Sequence, residues 1–130
     1  MNLVVIGVNH KTAPVALRER LAFVGGDIQV AQAQLQSLTA GSLIISTCNR
    51  TEIYALAPNT QALMDQVPST GSLATQAQKQ LMEPVTTTQL TEQLIHWLAD
   101  FKHLPVEEVR PYLYDYIDGQ ALTHLLRVAA

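Results

Sequence analysis

A lone cysteine followed two residues later by an arginine, in Thr47-Cys48-Asn49-Arg50, is the feature of this chain best suited to chemistry. It lies just past the apolar run Leu43-Ile44-Ile45, where a side chain can emerge at the end of a strand. A guanidinium close by favours the thiolate, which is the nucleophilic form of cysteine. Thr47 and Asn49 offer hydrogen bonds to an oxyanion or to a substrate. Arg50, a planar fork of N–H donors, suits a bidentate grip on a carboxylate. A substrate that combines a carboxylate with an activated acyl carbon fits this pair. The competing reading is a cysteine that fills a core as a small hydrophobe, beside a solvated arginine. Residue types alone leave both open.

His124 is placed by helix arithmetic. Leu122, Leu125, Leu126 and Ala129 recur at helical spacing and define an apolar face. With successive residues about 100° apart, His124 points roughly 150° from the centre of that face. It is then either a solvated surface residue or a polar group turned towards a cleft, able to donate a hydrogen bond or move a proton near neutral pH. His10 and Lys11 sit in a polar loop and either line a site or decorate a surface. His96 and His103 read as helix-surface positions without a partner. The histidines are scattered, so no metal-ligand spacing arises. No G-x-G-x-x-G turn is present, and the chain lacks that usual means of holding a nicotinamide dinucleotide.

The elements that must position these residues are legible in outline. Leu3–Val8 is a β-branched apolar run and reads as a buried strand. Asn9–Pro14 is the loop that carries His10 and Lys11. Val15–Phe23 reads as a short helix with Arg18, Glu19 and Arg20 facing solvent. After Gly25-Gly26, Asp27 can cap a helix bearing Ile28, Ala31, Leu35 and Leu38, which Gly41 stops. Leu43–Ile45 and Glu52–Leu56 read as two strands joined by a tight polar turn or a bulged crossing, Ser46–Thr51. Residues 58–87, rich in Gln, Ser, Thr and Ala, read as a long insertion with a short helix around Ala74–Met82. Leu90, Leu94, Trp97, Leu98 and Phe101 give an amphipathic helix. Pro105 starts a helical turn, Tyr112–Tyr114 reads as a fourth strand, and Asp118 caps the helix of His124. The order strand, helix, strand, strand, helix, strand predicts an α+β fold. Its specific form is a ferredoxin-like split βαβ sandwich, with an antiparallel sheet and helices on one face. That architecture hosts many functions and decides none.

A chain of 130 residues that is 48% apolar and 15% charged can bury one real core, which excludes a disordered chain. The longest apolar run near the start is far short of a membrane span, and no secretory signal pattern opens the chain. With a single cysteine and no internal disulfide to form, a reducing, cytoplasmic setting is expected. The net charge of −3 argues against broad, non-specific nucleic-acid binding. Its distribution is uneven: residues 1–51 balance to +2 and residues 52–130 to −5. A small basic region in the first part can meet one acidic partner, or the asymmetry is ordinary scatter.

Together, Gly7-Val8-Asn9-His10-Lys11-Thr12-Ala13-Pro14, Leu17-Arg18-Glu19, Ser46-Thr47-Cys48-Asn49-Arg50-Thr51-Glu52-Ile53-Tyr54 and His124-Leu125-Leu126-Arg127-Val128-Ala129 resemble the glutamyl-tRNA reductases. The S-T-C-N-R-T-E-x-Y stretch is the most specific part. The resemblance implies that residues 1–130 are the N-terminal catalytic, glutamyl-tRNA-binding domain, truncated in its last helix, with the cofactor and dimerisation domains absent. It implies an NADPH-dependent oxidoreductase that turns glutamyl-tRNA(Glu) into glutamate-1-semialdehyde, an early step of tetrapyrrole (porphyrin and haem) biosynthesis. Cys48 would attack the ester carbonyl and form a thioester, and NADPH, held by the full-length enzyme and not by this part, would deliver hydride. A thiolate is a good nucleophile, and a thioester accepts hydride more readily than an ester does. Thr47, Cys48, Asn49 and Arg50 match the substrate-contacting motif, with Arg50 gripping the glutamate side-chain carboxylate. His124 matches a histidine that matters for activity. The resemblance further implies a homodimer through a C-terminal domain and contact with the next enzyme of the pathway, an aminomutase. Family members usually reach the next helix by a shorter connection, so no role is carried onto 58–87. The reading from another class is a ferredoxin-like regulatory or ligand-binding module with a structural or redox-sensing cysteine. A thiol-reactivity assay separates the two.

Overall fold

The first strand, β1 (Leu3–Asn9), is sandwiched on both faces: Val4, Val5 and Ile6 are fully buried and Val8 is 1% exposed. In the computed structural model, which describes residues 2–58 and 85–129, this burial follows from its central place in the sheet. The remaining elements among the described residues are α1 (Val15–Leu21), α2 (Asp27–Leu35), β2 (Gly41–Ser46), β3 (Arg50–Leu56), α3 (Thr87–Phe101), α4 (Val106–Val109), a 3-10 turn (Arg110–Tyr112), β4 (Tyr114–Ile117) and α5 (Gly119–Ala129). The four strands form one antiparallel sheet in the order β2-β3-β1-β4, an α+β architecture. The insertion expected at 58–87 and its short helix lie outside the described residues, apart from its margins. Thr86 belongs instead to α3: its hydroxyl accepts from the Gln89 N–H while the Gln89 side chain accepts from its own N–H, a capping box.

Side chains alternate between the two faces of a strand, so register decides what each face is made of. Val4, Ile6 and Val8 point to one face together with Ile53 and Ala55 of β3. That face is covered by Leu21 of α1, Ala31 and Leu35 of α2, and Leu90, Leu94, Ile95, Leu98 and Ala99 of α3. Each large aliphatic buried there contributes about 1.5–3 kcal/mol of transfer free energy. Phe23, Trp97 and Phe101 stack at the margin of this layer, and the Lys102 ammonium lies 4.5 Å from the Phe23 ring centre.

The other face is different in kind. Gly7, Glu52, Tyr54, Tyr114 and Tyr116 share it through the pairs Gly7↔Glu52, Val5↔Tyr54, Gly7↔Tyr114 and Val5↔Tyr116. Helix α5 lies here, with Ala121 buried against Val5 and Tyr54. The expectation of helices on one face is therefore corrected: α1, α2 and α3 share a face, and α5 covers the opposite one. The apolar face assigned to α5 is corrected with it. Leu122 and Leu126 are 42% and 62% exposed, and the side turned inward carries Ala121, His124, Leu125 and Val128.

Local readings shift as well: the first helix ends at Leu21 and the second at Leu35, which leaves Leu38 outside it and makes Gly41 the start of β2. Arg18 is half-buried, not solvated. Asp27 is the first residue of its helix and not its cap, and its carboxylate accepts from the Val24 N–H and from Lys102. The fourth strand begins at Tyr114, because Arg110–Tyr112 turns as a 3-10 helix. Asp118, at a φ of 53°, accepts a hydrogen bond from the Leu3 N–H through its side-chain oxygen and so ties the start of α5 to the start of β1.

Candidate active site

β2 and β3 form a hairpin whose last pair is Ser46↔Thr51, and Thr47-Cys48-Asn49 is its tip. The tip is closed by the Thr47 N–H donating to the Arg50 carbonyl at 2.8 Å. The Thr47 hydroxyl oxygen accepts from the N–H groups of Asn49 and Arg50 at 3.2 and 3.3 Å. Thr47 is thus committed to shaping the turn. Thr47, Cys48 and Asn49 are all exposed. The thiol is held on an ordered turn facing solvent, and the reading of Cys48 as a core hydrophobe is overturned.

His10 and Lys11 are exposed in the loop after β1, and their side chains form no hydrogen bond or ion pair with a described residue. The loop itself is ordered by Asn9, whose side-chain oxygen accepts from the N–H groups of Lys11 and Thr12, while the Thr12 hydroxyl accepts from the Asn9 N–H. Because Asn9 pairs with Arg50, this loop and the cysteine turn lie at one end of the sheet. Arg18 joins them: its Nε donates to the Ala13 carbonyl at 3.2 Å and its guanidinium to the Cys48 carbonyl at 3.0 Å. The Phe23 N–H donates to the Ser46 hydroxyl at 2.9 Å and fixes the far end of α1 to the same edge.

Behind the turn sits a carboxylate that the reading of single residues passed over. Glu52 is fully buried. One of its oxygens accepts from the Tyr54 hydroxyl at 2.9 Å; the other accepts from the Tyr114 hydroxyl, contacts His124 Nε2 and lies 3.5 Å from the Arg50 guanidinium. Arg50 and His124 thus meet on Glu52, with side chains 24% and 16% exposed. Both phenols are held well above their ordinary pKa, first by burial and then by the hydrogen bond and negative charge of Glu52, so they stay protonated and donate. The rings of Tyr114 and Tyr116 lie 5.4 and 4.9 Å from the His124 ring and wall it in. Gly7 makes the room. A Cβ there would stand 2.8 Å from both Glu52 Cγ and the Thr51 carbonyl oxygen, and 3.1 Å from the Tyr114 hydroxyl.

The sequence does hold a signal for this cluster. Arg50, Glu52 and Tyr54 alternate along one strand, so two charges and a phenol share a face, in a strand otherwise rich in apolar residues. Tyr114 and Arg18 carry no comparable signal, since both contacts join distant parts of the chain.

The arrangement places an exposed thiol, an anchored guanidinium and a partly buried imidazole around one end of an antiparallel sheet. Residues 6–130 match the family model described as glutamyl-tRNAGlu reductase, N-terminal domain. The glutamyl-tRNA reductase of Psychrobacter sp. (strain PRwf-1) is 77% identical over 131 residues, covering all of this chain and 28% of the relative. Those of Psychrobacter arcticus and Psychrobacter cryohalolentis are 52% and 49% identical, again over the whole chain, which spans 30% of each. With a family model matched almost from end to end and relatives alike over its full length, the chain belongs to the glutamyl-tRNAGlu reductase N-terminal domain family.

Proposed function

We propose that the chain supplies the thiol half of the NADPH-dependent reduction of glutamyl-tRNA(Glu) to glutamate-1-semialdehyde, at the head of tetrapyrrole biosynthesis. The Cys48 thiolate attacks the carbonyl carbon of the ester between glutamate and tRNA. A C–S bond forms, the C–O bond to the terminal ribose breaks, and the ribose oxygen leaves with a proton. Arg50 binds the glutamate side-chain carboxylate, and Asn49 and the turn's backbone face the substrate. His124 supports the proton movement. The observation that carries this reading is the exposed Cys48 on a closed hairpin, next to an Arg50 whose guanidinium is held from behind by Glu52. An aminoacyl ester is already activated, so a positioned thiolate needs no further cofactor for this step.

The residues described do not fit a nicotinamide dinucleotide. The sheet is antiparallel throughout and no glycine-rich turn leads from a strand into a helix, the arrangement that usually cradles a pyrophosphate. The reduction step is accordingly assigned to the part of the relatives that this chain does not span. The same reading includes a ferredoxin-like split βαβ fold, supported by the strand order with β3 inserted between β2 and β1. It also includes a cytoplasmic setting, a homodimer of the longer protein and handover to an aminomutase. Among the described residues no helix is long and apolar enough to cross a membrane. The test is transfer of radiolabelled glutamate from charged tRNA to the protein. Label should remain bound through denaturation, be released by hydroxylamine, and be lost in Cys48→Ser. Label retained by Cys48→Ser would remove Cys48 as the nucleophile.

A further inference from the structure

We propose that Glu52 is a positioning residue that holds Arg50 and His124 in working geometry from the protein side of the site; this rests on the reading above of Arg50 as the group that binds the substrate carboxylate. The carboxylate is fully buried, in the middle of β3. Burying it is costly unless every partner is in place, and a well-packed apolar residue of similar volume is often no less stable. Stability alone therefore gives no account of a carboxylate here. Nor does it account for Gly7, whose missing side chain leaves the space that Glu52 and Tyr114 occupy.

The partners give the account. Tyr54 and Tyr114 donate to Glu52 and fix its plane. The other two partners, Arg50 and His124, are the charged and titratable groups to which the proposed reaction gives work. They stand 74 positions apart in the sequence and meet on the same Glu52 oxygen. One nitrogen of Arg50 is engaged with Glu52, and with its side chain 24% exposed the rest of the fork is free to face a substrate carboxylate. An ionised carboxylate only accepts hydrogen bonds, so the proton of a neutral His124 sits on Nε2, and Nδ1 keeps its lone pair. A single buried oxygen thus sets the direction of the guanidinium and the tautomer of the imidazole. The logic is that of a carboxylate which orients a catalytic histidine without reacting itself.

The experiment uses the full-length polypeptide that carries this domain. Single-turnover acylation of Cys48 is measured with glutamyl-tRNA and with glutaminyl-tRNA, which presents the same ester but a neutral side chain. Glu52→Gln should lower acylation by glutamyl-tRNA about 10- to 100-fold, the scale of a misplaced binding group. The preference for glutamyl over glutaminyl ester should fall with it, while alkylation of Cys48 by iodoacetamide stays within about twofold, because the hairpin is closed by its own hydrogen bonds. In an Arg50→Lys background, Glu52→Gln should change the preference no further. If Arg50→Lys loses the preference and Glu52→Gln keeps it, Glu52 has no positioning role and the carboxylate reading of Arg50 survives. If Arg50→Lys also keeps it, that reading fails and this proposal with it. Should Glu52→Gln not accumulate as folded protein, Glu52→Asp decides, since it keeps the charge but withdraws it by one methylene. A reduced preference supports the proposal and an undiminished one overturns it.

Discussion

Cys48 is exposed and Glu52 is fully buried, although they are four positions apart. The hairpin explains the contrast: Cys48 is at its tip and Glu52 two residues into a strand that lies between two others. Two expectations follow at this scale. Iodoacetamide should modify Cys48 in the native protein at neutral pH, as mass spectrometry of the intact chain would record. A thiol that reacts only after denaturation would contradict the exposed turn. Glu52→Ala should be severely destabilising, because it leaves two phenols and an imidazole without their acceptor and a partly buried guanidinium without its counter-charge. Breaking a buried pair from one side costs about 3–5 kcal/mol. Thermal unfolding should shift down by roughly 10–20 °C in a domain of this size. A shift within about 2 °C would mean that the cluster is solvated, against its burial.

The elements were legible where local pattern and tertiary partner agree. The stripe of α3 reads as apolar, and the face it meets, with Val4, Ile6 and Val8, is apolar too. Helix α5 fails that test for a physical reason. Periodicity picks the most apolar side as the buried one, which presumes an apolar partner. The sheet face under α5 carries Glu52, Tyr114 and Tyr116, so the side of the helix that turns inward is the one that bears His124. Of the candidate site, residues 47–50 and His124 could be singled out in the sequence, while Glu52, read only as part of a strand, could not, because its partners Tyr114 and His124 lie far along the chain. Arg18 belongs to the same lesson, since a guanidinium on a short helix reads as surface until the loop it reaches is known. It joins the loop after β1 to the cysteine turn through two carbonyls, those of Ala13 and Cys48. Arg18→Ala should therefore slow acylation of Cys48 by glutamyl-tRNA about tenfold, through a turn that is less well placed. The iodoacetamide rate should stay nearly constant. An equal loss with both reagents would mean that Arg18 acts on the thiol itself.

At the scale of the molecule, the proposed division of labour rests on what an antiparallel sheet can hold. Among the described residues no glycine-rich turn leads from a strand into a helix, the arrangement that usually cradles a pyrophosphate, so the proposed reading assigns the thiol step and the hydride step to different parts of the longer protein. The relatives are more than three times the length of this chain, which spans 28–30% of them. The prediction is that these 130 residues bind no NADPH and form no semialdehyde, while still releasing glutamate slowly from charged tRNA. Release is expected because the Cys48 thioester, once formed, is open to water when no hydride reaches it. It should be slow, since the proposed reading places further substrate-positioning groups outside these residues, and positioning is worth several kcal/mol of barrier, about 10²-fold or more in rate. Titration of NADPH fluorescence should show no saturable change. Glutamate release, followed by chromatography of labelled tRNA, should exceed the uncatalysed rate and vanish in Cys48→Ser. Saturable NADPH binding, or aldehyde formed by these residues alone, would place both halves of the reaction in one sheet. Release that survives Cys48→Ser would instead point to plain base-catalysed hydrolysis, with His124 and its Glu52 anchor as the first pair to substitute.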